Sequence, residues 1–235
     1  MPQHEHFLEQ HDPDRKDFQV DRIILFSDAV FAIAITLLII EIKTPNIHEL
    51  PNKDVQHQLQ QLSELWPKFM AFTMSFFVIA VYWRSHHRIF GFVNTYTEKL
   101  IWINILFLFA VVVMPFSSAY YSENYGYEVS HVFYNLNIIA TGLINYFFIR
   151  YVFNPANKLV KHQPTPMFIH LFKARAVAIP IFFSCIILLG FFGVPFYPII
   201  YALLWPMFLI LRRYNARKYA DKPAQKRKAQ KSPEE

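Results

Sequence analysis

Apolar residues along this chain come in blocks too long for the helices of a soluble core. A bilayer interior of about 30 Å needs roughly 20 apolar helical residues. Six blocks meet or approach that length, at 23–42, 65–83, 100–119, 131–153, 174–193 and 196–211. The last two are parted only by Val194 and Pro195, after Gly193. Pro195 and Pro198 favour a tight turn there, because proline lacks a backbone donor and ends helices. Pro115, Pro180 and Pro206 fall inside spans, where each predicts a kink whose freed backbone groups are satisfied by neighbouring helices. Segment 44–64 is polar with leucine periodicity, and predicts a short amphipathic helix leading into the second span. The pattern predicts an all-α integral membrane protein with six transmembrane helices. It divides into an N-terminal segment (1–21), a six-helix membrane domain (22–213) and a basic tail (214–235).

Composition agrees with this reading, and charge adds an orientation. Of 235 residues, 54% are apolar and 25 are Phe, while the net charge is +6. That charge is uneven. The second-to-third connection carries Arg84, Arg88 and Lys99 against Glu98, and the fourth-to-fifth carries Arg150, Lys158, Lys161 and Lys173. After the sixth block come Arg212, Arg213, Arg217, Lys218 and the run KRKAQK. The alternate connections are acidic or balanced, with Glu123 and Glu128 in one and Glu49, Asp54 and Glu64 in the other. The positive-inside rule then places both termini in the cytoplasm of a multi-pass plasma-membrane protein. The first 21 residues lack the basic start, apolar centre and small-residue site of a cleavable signal. The tail reads as a solvated topology signal, and nothing in it carries a nucleic-acid-binding signature. Cys185, the single cysteine, cannot form an internal disulfide.

The first block contains an anomaly. In RIILFSDAVFAIAITLLIIEI, residues 22–42, Ser27 and Asp28 interrupt an otherwise apolar run. A carboxylate inside the bilayer is costly and normally faces a partner or water. At about 100° per residue, Thr36, Leu37 and Ile40 lie within about 60° of Ile33, with Phe26 and Ala29 on the same side. Ser27 and Asp28 lie roughly 120–140° away. Asp28 is therefore placed to bind a neighbouring helix rather than to line whatever Ile33 lines. It sits about 9 Å inside the start of the block. The second span ends on that side with Trp83, His86 and His87, any of which could donate to it, and Arg22 is a further candidate counter-charge. The alternatives are a lock between helices and a proton relay or pH sensor through His86 or His87.

The spacing Arg22, Phe26, Ser27, Asp28, together with the Trp83–His87 segment, resembles the first-helix signature of the bacterial transmembrane protein 175 family, potassium channels related to a lysosomal channel. The resemblance implies one six-helix repeat per subunit and a homotetramer whose first helices surround a central pore. It implies no TVGYG carbonyl filter, and this chain has none. The family's constricting positions, five, nine and twelve residues after the motif aspartate, fall on Ile33, Leu37 and Ile40. A hydroxyl layer eight residues after it falls on Thr36. Arg22, Phe26, Ser27, Asp28, Trp83, His86 and His87 correspond to a network that holds the helices together. The implied function is a potassium-selective channel with a hydrophobic constriction, which can gate by dewetting. By composition alone, Ile, Leu and Thr at helical spacing would instead read as helix packing, with Ala29 and Ala32 permitting close approach.

Rival functions are weaker. A secondary transporter would place ionisable groups at the midplane, often in inverted repeats, whereas Asp28 is near one end. A proton-conducting channel is the other rival. No nucleophile elbow, Walker loop or HExxH motif supports an enzyme. His4, His6 and His11 could ligate a metal but read more simply as a polar terminus. The expected partners are the lipid bilayer and further copies of the chain, with no nucleic acid, no obligate protein partner and no cofactor. Potassium is the expected permeant ion, and no other metal is expected.

Overall fold

The computed structural model describes residues 16–45 and 54–192, together with Arg213. The sixth apolar block, the turn before it, Pro206, the N-terminal histidines and the basic tail lie outside the described residues. Within them the chain forms α1 (Lys16–Ile40), α2 (Val55–Glu64), α3 (Trp66–Phe90), α4 (Glu98–Glu123), α5 (Glu128–Val152) and α6 (Pro166–Phe191). Five of these, α1 and α3 to α6, are long and apolar enough to cross a membrane. At 25 or 26 residues each, they reach about 37–39 Å, more than the hydrocarbon interior. The short helix expected before the second span is α2. Asp54 caps it, its carboxylate accepting from His57 N at 3.0 Å.

Several helices run further than hydropathy suggests: α1 starts at Lys16 rather than at 23, and α4 ends at Glu123 rather than at 119. The second span does not stop at residue 83, because α3 continues to Phe90. Arg84, His86, His87 and Arg88 are therefore helical, not connecting loop. The reason is packing: Ile89 and Phe90 are buried, with the Phe90 ring 5.6 Å from Phe148 of α5. Likewise α6 starts at Pro166, eight residues before the expected boundary. Thr165 caps it by accepting from Phe168 N, and proline at the first turn needs no donor. Lys173, expected in the connection, is thus inside the helix.

Helix α4 is the hub. It packs against α1, α3 and α5, while α6 packs on α5 and α1 also meets α3. One core cluster joins Phe31 and Leu38 of α1 to Tyr82 of α3, Phe107 of α4, Ile138 of α5 and Phe183 of α6. A second, at the end where α1 starts, gathers Val20, Ile89, Phe90, Phe148, Leu159 and Phe172. Lipid tails are as apolar as these side chains, so close packing and polar contacts hold such helices together.

The two described prolines show how that is done. Pro115 interrupts α4. Asn137 of α5 answers it: with its amide turned to satisfy both ends, it donates to Ala110 O at 3.1 Å and accepts from Met114 N at 3.2 Å and Ser117 Oγ at 3.0 Å. Ala110 O and Met114 N are the pair that one regular helical turn joins, so the side chain bonds both ends of that turn just before Pro115. Pro180 of α6 lies over Gly142 of α5, where an added Cβ would meet Pro180 Cγ at 2.7 Å and Tyr82 Oη at 3.0 Å. Gly142→Ala should therefore force α5 and α6 apart, costing about 1–3 kcal/mol as overpacking. A thermal melt of the purified protein checks this, and an unchanged midpoint would contradict the contact.

Candidate functional site

Asp28 is satisfied by Trp83. The indole Nε1 donates to Asp28 Oδ1 at 2.9 Å. Both residues lie one-sidedly open, Asp28 half-buried and Trp83 exposed. The His87 ring stacks on Trp83 at 5.6 Å and 28°, supporting the indole without touching the carboxylate. No ion pair joins Arg22 to Asp28 among the described residues, and Arg22 is exposed. Of the donors legible in the sequence, the indole alone is in place. Trp83→Phe removes the bond and keeps most of the ring. Because a charged acceptor loses its partner at a partly open site, the expected cost is about 1 kcal/mol, read as a lower melting midpoint.

His86 is turned away from Asp28 and into the core. Its ring lies nearly parallel to Phe107 (5.9 Å, 7°) and Phe148 (5.8 Å, 14°), fully buried. Its Nε2 meets Asn104 Oδ1 at 2.8 Å. Asn104 Nδ2 donates to Ser27 Oγ at 3.0 Å, and Ser27 Oγ donates to Ile23 O at 2.8 Å. The backbone carbonyl can only accept, which fixes the direction of the whole chain. Ser27 gives its hydrogen to Ile23, so it accepts from Asn104, whose amide oxygen then accepts from His86 Nε2–H. This assigns His86 as neutral, with Nδ1 bare and lacking a partner. A second proton at Nδ1 would meet no acceptor. Of the three donors that the sequence offered to Asp28, Trp83 takes the place, and His86 belongs to a separate lock, Ser27–Asn104–His86.

Asn104 is the member that sequence reasoning passed over. It lies in the α4 segment Trp-Ile-Asn-Ile-Leu-Phe, and the logic applied to Asp28 applies equally to an amide inside an apolar run. A second polar cross-link, also unremarked in the sequence, ties the far half of the bundle: Ser75 of α3 donates to Ser118 of α4 at 2.8 Å and contacts Tyr134 Oη of α5 at 3.0 Å.

Helix α1 is the least buried of the five long helices. Its inward side carries Val20, Ser27, Phe31, Ala34 and Leu38. The opposite side is open over the helix's length, with Phe26 at 58%, Ile33 at 58% and Ile40 at 69% exposure. Ala29, Thr36 and Leu37 are exposed with them. The stripe picked out by periodicity is therefore uncovered by the rest of its own chain. Thr36 Oγ1 donates to its own helix, at 3.0 Å from Ala32 O and 2.9 Å from Ile33 O. With its hydrogen held there, the hydroxyl presents only an acceptor oxygen to the open side. Among the described residues no group of His, Cys, Asp or Glu is placed to hold a metal ion.

The described residues form a multi-helix bundle of membrane-spanning type, cross-linked by buried polar contacts and leaving one side of α1 uncovered. Residues 22–115 match the family described as TMEM175, "Endosomal/lysosomal potassium channel TMEM175". Over that segment the chain is similar to the family that the Arg22–Asp28 signature resembles. It is 36% identical over 127 residues to a protein named as a potassium channel from Streptomyces collinus, covering 52% of this chain and 59% of that one. It is 42% identical over 105 residues to another so named from Chamaesiphon minutus, covering 45% and 50%. The crystal structure of a lysosomal potassium-selective channel TMEM175 homolog from Chamaesiphon minutus aligns with a TM-score of 0.66 at 27% identity, over 82% of this chain and 97% of that one. A chicken relative, 35% identical over 106 residues covering 44% of this chain and 21% of that one, is named as an endosomal/lysosomal proton channel. The chain thus spans about half the length of the curated bacterial relatives it matches. These relatives are named as channels, not enzymes.

Proposed function

We propose that copies of this chain assemble as a homotetramer around a central pore lined by α1, forming a potassium-selective channel. Ile33, Leu37 and Ile40 form apolar rings, and Thr36 places a ring of acceptor oxygens among them. Each subunit carries a sixth span at 196–211, and both termini lie in the cytoplasm of a plasma-membrane protein. The observation that carries this reading is the open stripe of α1: Ile33 and Ile40 are more than half exposed in the isolated subunit, on the side opposite the packed residues Phe31, Ala34 and Leu38. One helix cannot enclose a conduit, so a lining role requires several copies. Selectivity would follow from hydration. Sodium holds its water more tightly than potassium, so a narrow ring that cannot replace that water raises the sodium barrier more.

The test is planar-bilayer recording of the purified chain under bi-ionic potassium and sodium conditions. A reversal potential displaced in favour of potassium, with resolvable single-channel steps, is the expected result. Slow saturating uptake into liposomes without unitary currents would indicate a transporter instead. The proton-channel reading is favoured by the name of the vertebrate relative and is separated by a pH gradient in the same recordings. His86 does not serve it, since its ring is enclosed by Phe107 and Phe148.

A further inference from the structure

The end of the bundle where α1 starts and α3 stops carries a surface that neither the pore nor the helix locks use. Two connections meet there and are tied together. Asn94 N donates to Leu159 O at 2.9 Å, Lys161 N donates to Asn94 Oδ1 at 3.0 Å, and Thr95 Oγ1 donates to Lys158 O at 3.1 Å. Leu159 and Val160 plug into the core below. Lys158 holds a left-handed conformation at φ 52°. The result is a fixed platform with Lys158 and Lys161 pointing out on either side of the buried pair. Lys99 joins them, its Nζ 5.5 Å above the Tyr151 ring, whose hydroxyl meets Thr97 at 2.9 Å. Glu98, beside Lys99 in the chain, accepts from Trp102 Nε1 at 3.4 Å.

Trp102 sets the level. It is 63% exposed and lies one turn into α4 from Lys99. An exposed indole at the end of a span marks the membrane interface, so the lysines stand at headgroup height. A topology signal needs positive charge but no fixed conformation. Here the backbone that carries the charge is pinned by three hydrogen bonds and two buried side chains, and the charge is left facing outward.

We propose that this platform, with Lys99, Lys158 and Lys161, binds the headgroup of an acidic phospholipid. The proposal rests on the chain being a multi-pass membrane protein and not on its being a channel, so either reading can fail alone. Near a membrane surface each lysine strengthens attraction to acidic lipid by about fivefold.

The full chain is purified in mixed phosphatidylglycerol and phosphatidylcholine micelles, and the lipids it retains are weighed by native mass spectrometry. The wild type should keep phosphatidylglycerol in preference. K158Q/K161Q should lower that retention about twentyfold, and K158R/K161R should keep it. Lys43 and Lys68 lie at the other end of the bundle, so K43Q/K68Q should leave retention unchanged. N94A keeps every lysine but frees Lys161 N, and should lower retention several-fold. Equal losses in K158Q/K161Q and K43Q/K68Q would overturn the site, as would a wild type with no preference. An N94A protein that binds like wild type would overturn the built platform and leave only diffuse charge.

Discussion

Ile33→Asn should bring the potassium-to-sodium permeability ratio down toward unity. In the proposed tetramer the change replaces a ring of apolar side chains by amides that hold water and donate to it. Sodium could then pass with more of its hydration kept, and the barrier that separates the two ions would shrink. The energies involved are small, since a tenfold change in selectivity is about 1.4 kcal/mol. The substitution is also structurally mild. Ile33 is 58% exposed in the subunit and is not part of its buried core. Ile39 supplies the control. It is 45% exposed and lies about 120° around α1 from Ile33, so Ile39→Asn carries the same chemistry to a different side. Bi-ionic reversal potentials of both variants decide the matter. If the two substitutions behave alike, or if Ile33→Asn leaves the ratio where it was, α1 does not present this stripe to the ion path.

Asn104→Ala should be the most destabilising single change in the helix lock, by about 2–5 kcal/mol. It leaves His86 Nε2–H buried without an acceptor, which costs about 1–3 kcal/mol, and adds a cavity between α1, α3 and α4. Ser27 suffers less, because it still donates to Ile23 O. The asymmetry of buried hydrogen bonds gives a sharper test. Removing one partner strands the other, whereas replacing both with apolar groups of similar shape is close to neutral. Asn104→Leu alone should therefore be costly, and Asn104→Leu combined with His86→Leu should recover much of the loss. Melting midpoints of the single and double variants measure that coupling. Additive losses would mean that the His86–Asn104 contact carries no weight. Trp83→Phe, acting on the half-open Asp28 lock, should cost less than Asn104→Ala or Asn104→Leu alone.

The two locks also explain why the open stripe of α1 can stay open. Ser27 and Asp28 are adjacent, yet they bind different helices: Ser27 through Asn104 to α4 and on to His86, Asp28 directly to Trp83 on α3. Two anchors one residue apart fix both the depth and the rotation of α1. With the rotation fixed near its start, Phe31, Ala34 and Leu38 face the core and Ile33, Leu37 and Ile40 face away.

The linear order of apolar and polar residues determined how many described helices cross, where the amphipathic α2 falls, and that Asp28 turns sideways from Ile33. These are consequences of hydropathy and of a fixed rotation per residue, both local to one helix. Hydropathy misplaced the end of α3 and the start of α6, because His86 and Lys173 are polar by type, whatever their surroundings. Which donor meets Asp28 was decided by tertiary structure alone. Trp83, His86 and His87 sit within two turns of one another, and choosing among them needs the register and rotation of α3 against α1. The same packing enclosed His86 between two phenylalanines, brought Asn104 to it, and set Asn137 against the turn before Pro115. Such contacts join residues far apart in the chain, so no window along the sequence contains the information that selects them.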